Sequence, residues 1–185
     1  HLSDLDPVAL MHAFPKSQLA FISKKENIPT ASLFFRTEYA KQLPQWYFDC
    51  PVGDIPLQLA MLMHGSVYYF NEAMSMYRMG RAGSWGESME NDAAKLKWER
   101  HFDAMSKLYA EFDNDTEGNY KEAVREAVAR SRFLIDIKED KKEAVLDPAN
   151  SGFLRELPDT ERKLLILKAK HRWIYDLIRS IYKLL

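Results

Sequence analysis

The stretch Gly80-Arg81-Ala82-Gly83-Ser84-Trp85 sets a cation and an indole among glycines. Glycine supplies hinge freedom, a guanidinium can hold an anion, and an indole can cover a ligand or stack on a sugar face. The stretch therefore suits a lid as well as it suits an ordinary connector. Upstream, a single carboxylate, Asp54, stands after Gly53 and ahead of the apolar run from Ile55 to Met63. On spacing alone it reads as a helix N-cap, worth about 1 kcal/mol through the backbone amides it satisfies. The last segment carries Arg162, Lys163, Lys168, Lys170, Arg172, Arg179 and Lys183 against Glu161 and Asp176, with Trp173, Tyr175 and Tyr182 between them. A helix of that kind either lies on an anionic membrane surface or packs one face and solvates the other. His64, His171 and the methionines at 61, 63, 74 and 76 suit ordinary packing, and no role is assigned to them.

Elements must position these groups. Pro7, Pro15 and Pro29 interrupt any long period, so residues 1–30 read as irregular or loosely helical. Thr30 to Phe35 reads as a short buried strand that passes through Arg36 into a helical turn stopped by Pro44, and Gln45 to Pro51 as an aromatic loop. The run after Asp54 is apolar on nearly every face and predicts a buried helix closed by a left-handed Gly65. Ser66–Phe70 and Ala73–Met79 read as two short strands. After Gly86 the period changes: Trp98, Phe102, Met105, Tyr109 and Phe112 recur at steps of four and three and predict a helix over 88–112. Tyr120, Val124, Val128, Ser131 and Leu134 predict a second, and the stripe Leu164, Leu167, His171, Ile174, Ile178, Ile181 and Leu185 a third. The expected architecture is α+β and helix-rich, with a mixed half over 1–86 and a helical extension of about three long helices over 87–185.

The whole chain bounds the function. Its 185 residues include 26 Lys and Arg against 27 Asp and Glu, a net charge of −1. That balance removes the counterion-release argument for non-specific nucleic-acid binding. Cys50 is the single cysteine, so no internal disulfide forms and no Cys/His set stands at zinc spacing. A reducing, cytoplasmic compartment is the simplest home. No apolar run approaches the roughly 20 residues a bilayer span needs, and no signal segment opens the chain. His1 in first place suggests a piece of something longer.

Several strings taken in order carry a likeness. Ile28-Pro29-Thr30-Ala31-Ser32-Leu33-Phe34-Phe35-Arg36 comes first, then Leu43-Pro44-Gln45-Trp46, Gly53-Asp54-Ile55-Pro56-Leu57 and Gly65, and last Glu72-Ala73-Met74-Ser75-Met76-Tyr77-Arg78. Together they resemble the later half of glycosyltransferase family 2 catalytic domains, inverting sugar transferases of the GT-A fold. The resemblance implies a partial GT-A, Rossmann-like half with short strands. It implies that Asp54, after Gly53, is the base that deprotonates the acceptor hydroxyl. Ser32 and Arg36 fall on the segment beside the acceptor entrance, and Arg78 matches a pair preceding the loop that closes over the nucleotide sugar, where a guanidinium can hold phosphate. Family members often place a histidine after that pair; here Met79-Gly80-Arg81 stands, with Arg81 its substitute and Trp85 the sugar cover.

The family's nucleotide-binding first half and its Asp-x-Asp metal motif have no counterpart. Asp4-Leu5-Asp6 has the spelling without a preceding strand. No cofactor is therefore expected on this stretch, while the intact enzyme is expected to use Mg or Mn. The implied partners are a nucleotide-sugar donor and a carbohydrate or lipid-linked acceptor, with peripheral membrane contact through residues 160–185. The other reading is a noncatalytic helical interaction or membrane-docking module that keeps a transferase remnant.

Overall fold

A computed structural model describes residues 19, 22–23, 30–65, 76 and 94–182. Among these, 77% are helical and none lies in a strand. The α+β expectation with a Rossmann-like half is thereby overturned. Thr30–Ser32 is a 3-10 turn closed by Leu33 N–H donating to the Thr30 carbonyl at 3.3 Å. The residues after it belong to no helix and no ladder, Arg36 is extended, and Phe34 is 91% exposed. A strand needs a neighbour to satisfy its backbone groups, and the segment instead closes its hydrogen bond locally. The strands expected at 66–70 and 73–79 lie outside the described residues, apart from the exposed Met76.

The chain forms two compact units, His1–Ala129 and Arg130–Leu185. The division falls inside one helix, while the boundary expected near Gly86 lies outside the described residues. The first unit contains α1 (Thr37–Ala40), α2 (Gln45–Asp49), α3 (Asp54–Leu62), α4 (Ala94–Asp115) and the start of α5 (Lys121–Lys138).

The aromatic loop expected at 45–51 is mostly helix α2. Pro44 at its N-cap has φ −68° and ψ 160°, so it leads into the helix without needing an amide hydrogen, and Gln45 Nε2 donates to Asp49 Oδ1 one turn on at 3.1 Å. That turn sends Trp46 inward and leaves Phe48 exposed. Trp46 Nε1 donates to Asp115 Oδ2 at 2.7 Å, and its ring meets Phe112 edge-on with centroids 6.4 Å apart. Helix α3 forms as the apolar run predicts, but it ends at Leu62 with Met63 as its C-cap, and Gly65 at φ 159° is not the left-handed closing residue expected. Pro56 sits in its first turn, where a missing amide hydrogen is harmless, and Leu59, Ala60 and Leu62 are buried.

Helix α4 carries the predicted stripe, with Met105, Leu108, Tyr109 and Phe112 in the core beside Val124 and Ala127 of α5. Burial pushes the Tyr109 phenol well above its ordinary value. Helix α4 ends in a left-handed turn, where Glu117 and Gly118 have φ 54° and 74° and Gly118 N–H donates to the Asp113 carbonyl at 2.8 Å.

The second unit holds the end of α5, then α6 (Lys142–Leu146), a 3-10 turn at Pro148–Asn150, α7 (Ser151–Glu156), α8 (Asp159–Lys170) and α9 (Arg172–Tyr182). The single long final helix expected from the stripe is two helices, broken at His171 with φ −139° and ψ 64°. Across the break Lys168 Nζ of α8 lies 5.5 Å from the ring centroid of Tyr175 in α9. At the other end of this unit Arg130, with only 10% of its side chain exposed, lies over the Phe153 ring at 5.0 Å and forks onto the Glu156 carboxylate. No helix among the described residues is long and apolar enough to cross a membrane.

Candidate functional site

Gly53 precedes α3 with φ −103° and ψ −23°, and its carbonyl accepts the first helical hydrogen bond from Leu57 N–H at 3.3 Å. Asp54 is thus the first residue of α3. Its Oδ1 accepts from Ile55 N–H at 2.9 Å, which anchors the carboxylate at the positive end of the helix. Its Oδ2 accepts from Thr30 Oγ1 at 3.4 Å. The side chain is half-buried, so the carboxylate is held on two sides and open to solvent on another. Gly53 rather than Asp54 is therefore the N-cap residue, and the Asp54 carboxylate satisfies one amide of the first turn while leaving lone pairs that can accept a proton from an incoming hydroxyl.

The surrounding elements fix this corner. Helix α2 packs on both α3 and α4. The Tyr39 ring of α1 stacks on His64 just past the end of α3, with centroids 4.3 Å apart and planes at 1°. His64, given no role by its sequence, is therefore a packing partner here.

Two of the motif strings, at 28–36 and 53–57, are brought together through Thr30 and Asp54. Ser32 lies in the same 3-10 turn as Thr30. Arg36 does not join them: it stands at the N-cap of α1, exposed, with Nη1 3.5 Å from Glu38 Oε1. An exposed pair of this kind is worth little to stability. Arg78, Arg81, Trp85 and the Asp4-Leu5-Asp6 string lie outside the described residues. A hydroxyl residue such as Thr30, preceding an apolar segment, gives no signal in the sequence that it will reach a carboxylate 24 positions on.

No group of three His, Cys, Asp or Glu side chains among the described residues converges in a way that holds an ion, and Asp54 has a hydroxyl and an amide as its partners.

A second charged cluster lies in the second unit. Asp140, in a left-handed conformation at φ 62°, takes Lys168 at 2.6 Å and also Arg172, one cation from each side of the α8–α9 break. Burial pushes its carboxyl up, but the hydrogen bonds from Lys168 and Arg172 outweigh that and hold it below its ordinary value. Asp136 behaves alike: partial burial raises it, and Arg132 at 2.9 Å and Lys141 at 2.8 Å bring it below 3.8. The sequence shows the cations of the final segment; it does not show that Asp140 gathers them, because the gathering depends on the break at His171.

Compared with known proteins, the chain matches no family model, no curated protein and no solved structure.

Proposed function

We propose that residues 28–65 form the acceptor-activating part of an inverting glycosyltransferase that uses a nucleotide sugar, with Asp54 as the base. Support comes first from one observation: the half-buried Asp54 carboxylate, at the head of α3, takes a hydrogen bond from Thr30 within the other motif string. The proposal draws on no sheet; it rests on the ordered motifs and this corner. In the step proposed, Asp54 takes the proton of the acceptor hydroxyl while that oxygen attacks the anomeric carbon from the face opposite the nucleotide. The bond to the nucleoside diphosphate breaks, and its electron pair leaves with the diphosphate. A positioned base of this kind contributes typically ~10²- to 10⁴-fold.

Arg78, with Arg81, neutralises the departing diphosphate on this reading, and Trp85 covers the sugar. Donor binding and any Mg or Mn belong to a further part of a longer protein. The place of action is the cytoplasm, at the inner face of the cell membrane. The test is release of nucleoside diphosphate from a panel of nucleotide sugars by the intact protein, with and without a mixture of glycan and lipid-linked acceptors. Acceptor-dependent release supports the proposal; none with any donor contradicts it.

One observation favours the docking module as a second reading. Trp173, Leu177 and Ile181 recur at steps of four along α9 and are 70%, 55% and 51% exposed. An apolar strip of that kind on a helix bearing Arg172 and Arg179 suits the surface of an anionic bilayer. Sedimentation with anionic liposomes tests it: a Leu177→Asp, Ile181→Asp chain should lose binding that the unaltered chain shows, and absence of binding by the unaltered chain rejects docking.

A further inference from the structure

The second unit holds a cavity of about 350 Å³ between α6, α8 and the ends of α5 and α9. That is the low end of the range for small-ligand sites, roughly 300–1,000 Å³. Its lining is of two kinds. Ile137, Val145 and Leu165 supply apolar surface, and Lys141, Lys142, Lys168, Lys170 and Arg172 bring five cations against the single lining carboxylate of Asp140.

The ion pairs around the cavity do not consume all of that charge. Lys168 and Arg172 are held by Asp140, and Arg172 also faces Asp176 at 3.4 Å. Lys141 bridges Asp136 and Glu139 at 2.8 and 2.7 Å. Lys142 and Lys170, both exposed, take no carboxylate among the described residues. Cations collected around one concavity repel one another, and exposed ion pairs return little stability for the arrangement. An anion seated between them removes the repulsion, and the fixed pairs at Asp140 and Asp136 hold the walls in place beforehand.

We propose that this cavity binds a phosphate-bearing ligand, a phosphomonoester or diphosphate whose anionic group lies between Lys142 and Lys170 with its less polar body against Ile137 and Leu165. Phosphate is favoured over carboxylate because it presents several oxygens and up to two charges to separate ammonium groups. The site is independent of Asp54 and of the transferase proposal. The phosphate comes either from a free metabolite or from a lipid headgroup, and the two sources differ in the apolar body they bring.

The experiment uses the full chain with two probes, inorganic pyrophosphate and monomeric dihexanoyl phosphatidic acid, titrated by calorimetry at low and physiological salt. Two double variants are compared: Lys142→Ser with Lys170→Ser, and Lys107→Ser with Lys121→Ser, exposed lysines of the first unit that change net charge equally. Saturable binding weakened at least about tenfold, some 1.4 kcal/mol, by the first pair and within about twofold by the second supports the site. Tighter binding of the phosphatidic acid than of pyrophosphate then identifies a lipid headgroup, and the reverse order a free phosphate. No saturable binding of either probe up to about 10 mM overturns the proposal, as does equal weakening by both variants. Circular dichroism of the first variant confirms that loss of binding is not loss of fold, since neither lysine takes a carboxylate among the described residues.

Discussion

Thr30 Oγ1 donates to Asp54 Oδ2 at 3.4 Å across 24 residues of chain, so a 3-10 turn and a helix N-terminus share one carboxylate. The contact is long and solvent-accessible, and its effect on stability should be small. Its effect on the direction of the carboxylate should be larger, because Oδ1 is already committed to the Ile55 amide. Thr30→Val keeps the shape and removes the hydroxyl. The expected result is a fall in transferase turnover on the order of tenfold with unfolding unchanged, read from steady-state kinetics beside a urea titration. Equal turnover removes Thr30 from any positioning role.

Trp46 and Asp115 join α2 to α4 through a side-chain hydrogen bond of 2.7 Å. Asp115→Ala leaves the buried indole N–H without its acceptor and should cost about 1–3 kcal/mol in urea unfolding. Trp46→Phe removes donor and ring edge together while Asp115 returns to water, so a larger loss than that of Asp115→Ala shows that the packing of the indole outweighs its hydrogen bond.

Phe112 is fully buried and lies between the edge of Trp46 and the face of Tyr120, 5.6 Å from the latter ring. Its truncation to alanine leaves a cavity bounded by three elements that cannot collapse independently. A loss of about 3–5 kcal/mol is expected, enough to unfold a marginally stable unit at ambient temperature, and calorimetric melting measures it.

Asp136 gives the chain a sensitivity to acid with a definite sign. Its folded-state pKa lies below the ordinary 3.8, so its contribution to stability is complete above 3.8 and disappears as the pH falls through the lower folded value. Raising the pH from 6 to 8 does not alter this contribution. Stability measured between about pH 6 and pH 2.5 should drop more steeply for the unaltered chain than for Asp136→Asn, which has already lost the charge that Arg132 and Lys141 hold. Parallel slopes would show that these pairs do not couple to folding.

The helical half was legible because its signals are local. Met105, Tyr109 and Phe112 repeat with the period of a helix and are buried as that period requires. The apolar run after Asp54 likewise could bury itself only as a helix. The segment at 30–36 was misread because short apolar runs suit strand and helix alike, and the choice depends on whether a partner strand is present. At 45–49 three adjacent aromatics concealed a single helical turn that buries Trp46, packs Tyr47 partly against the core and leaves Phe48 exposed. The stripe from Leu164 to Ile181 was continuous in sequence and broken in structure, since Asp140 ties Lys168 and Arg172 from either side of the break and no periodicity records a contact some thirty residues away. The corner at Asp54 was half legible. Its carboxylate stood out at a helix start, while its partner Thr30 and the solvent-exposed position of Arg36 depended on the path of the chain between them.

The central claim is that Asp54 accepts the acceptor's proton. The direct measurement is turnover of the intact protein carrying Asp54→Asn, with unfolding followed in parallel, because asparagine keeps the shape and the oxygen that accepts from the Ile55 amide but cannot take up a proton at neutral pH. A fall in kcat of ~10²-fold or more with folding retained is the expected result. Turnover equal to that of the unaltered protein would contradict the proposed role of Asp54.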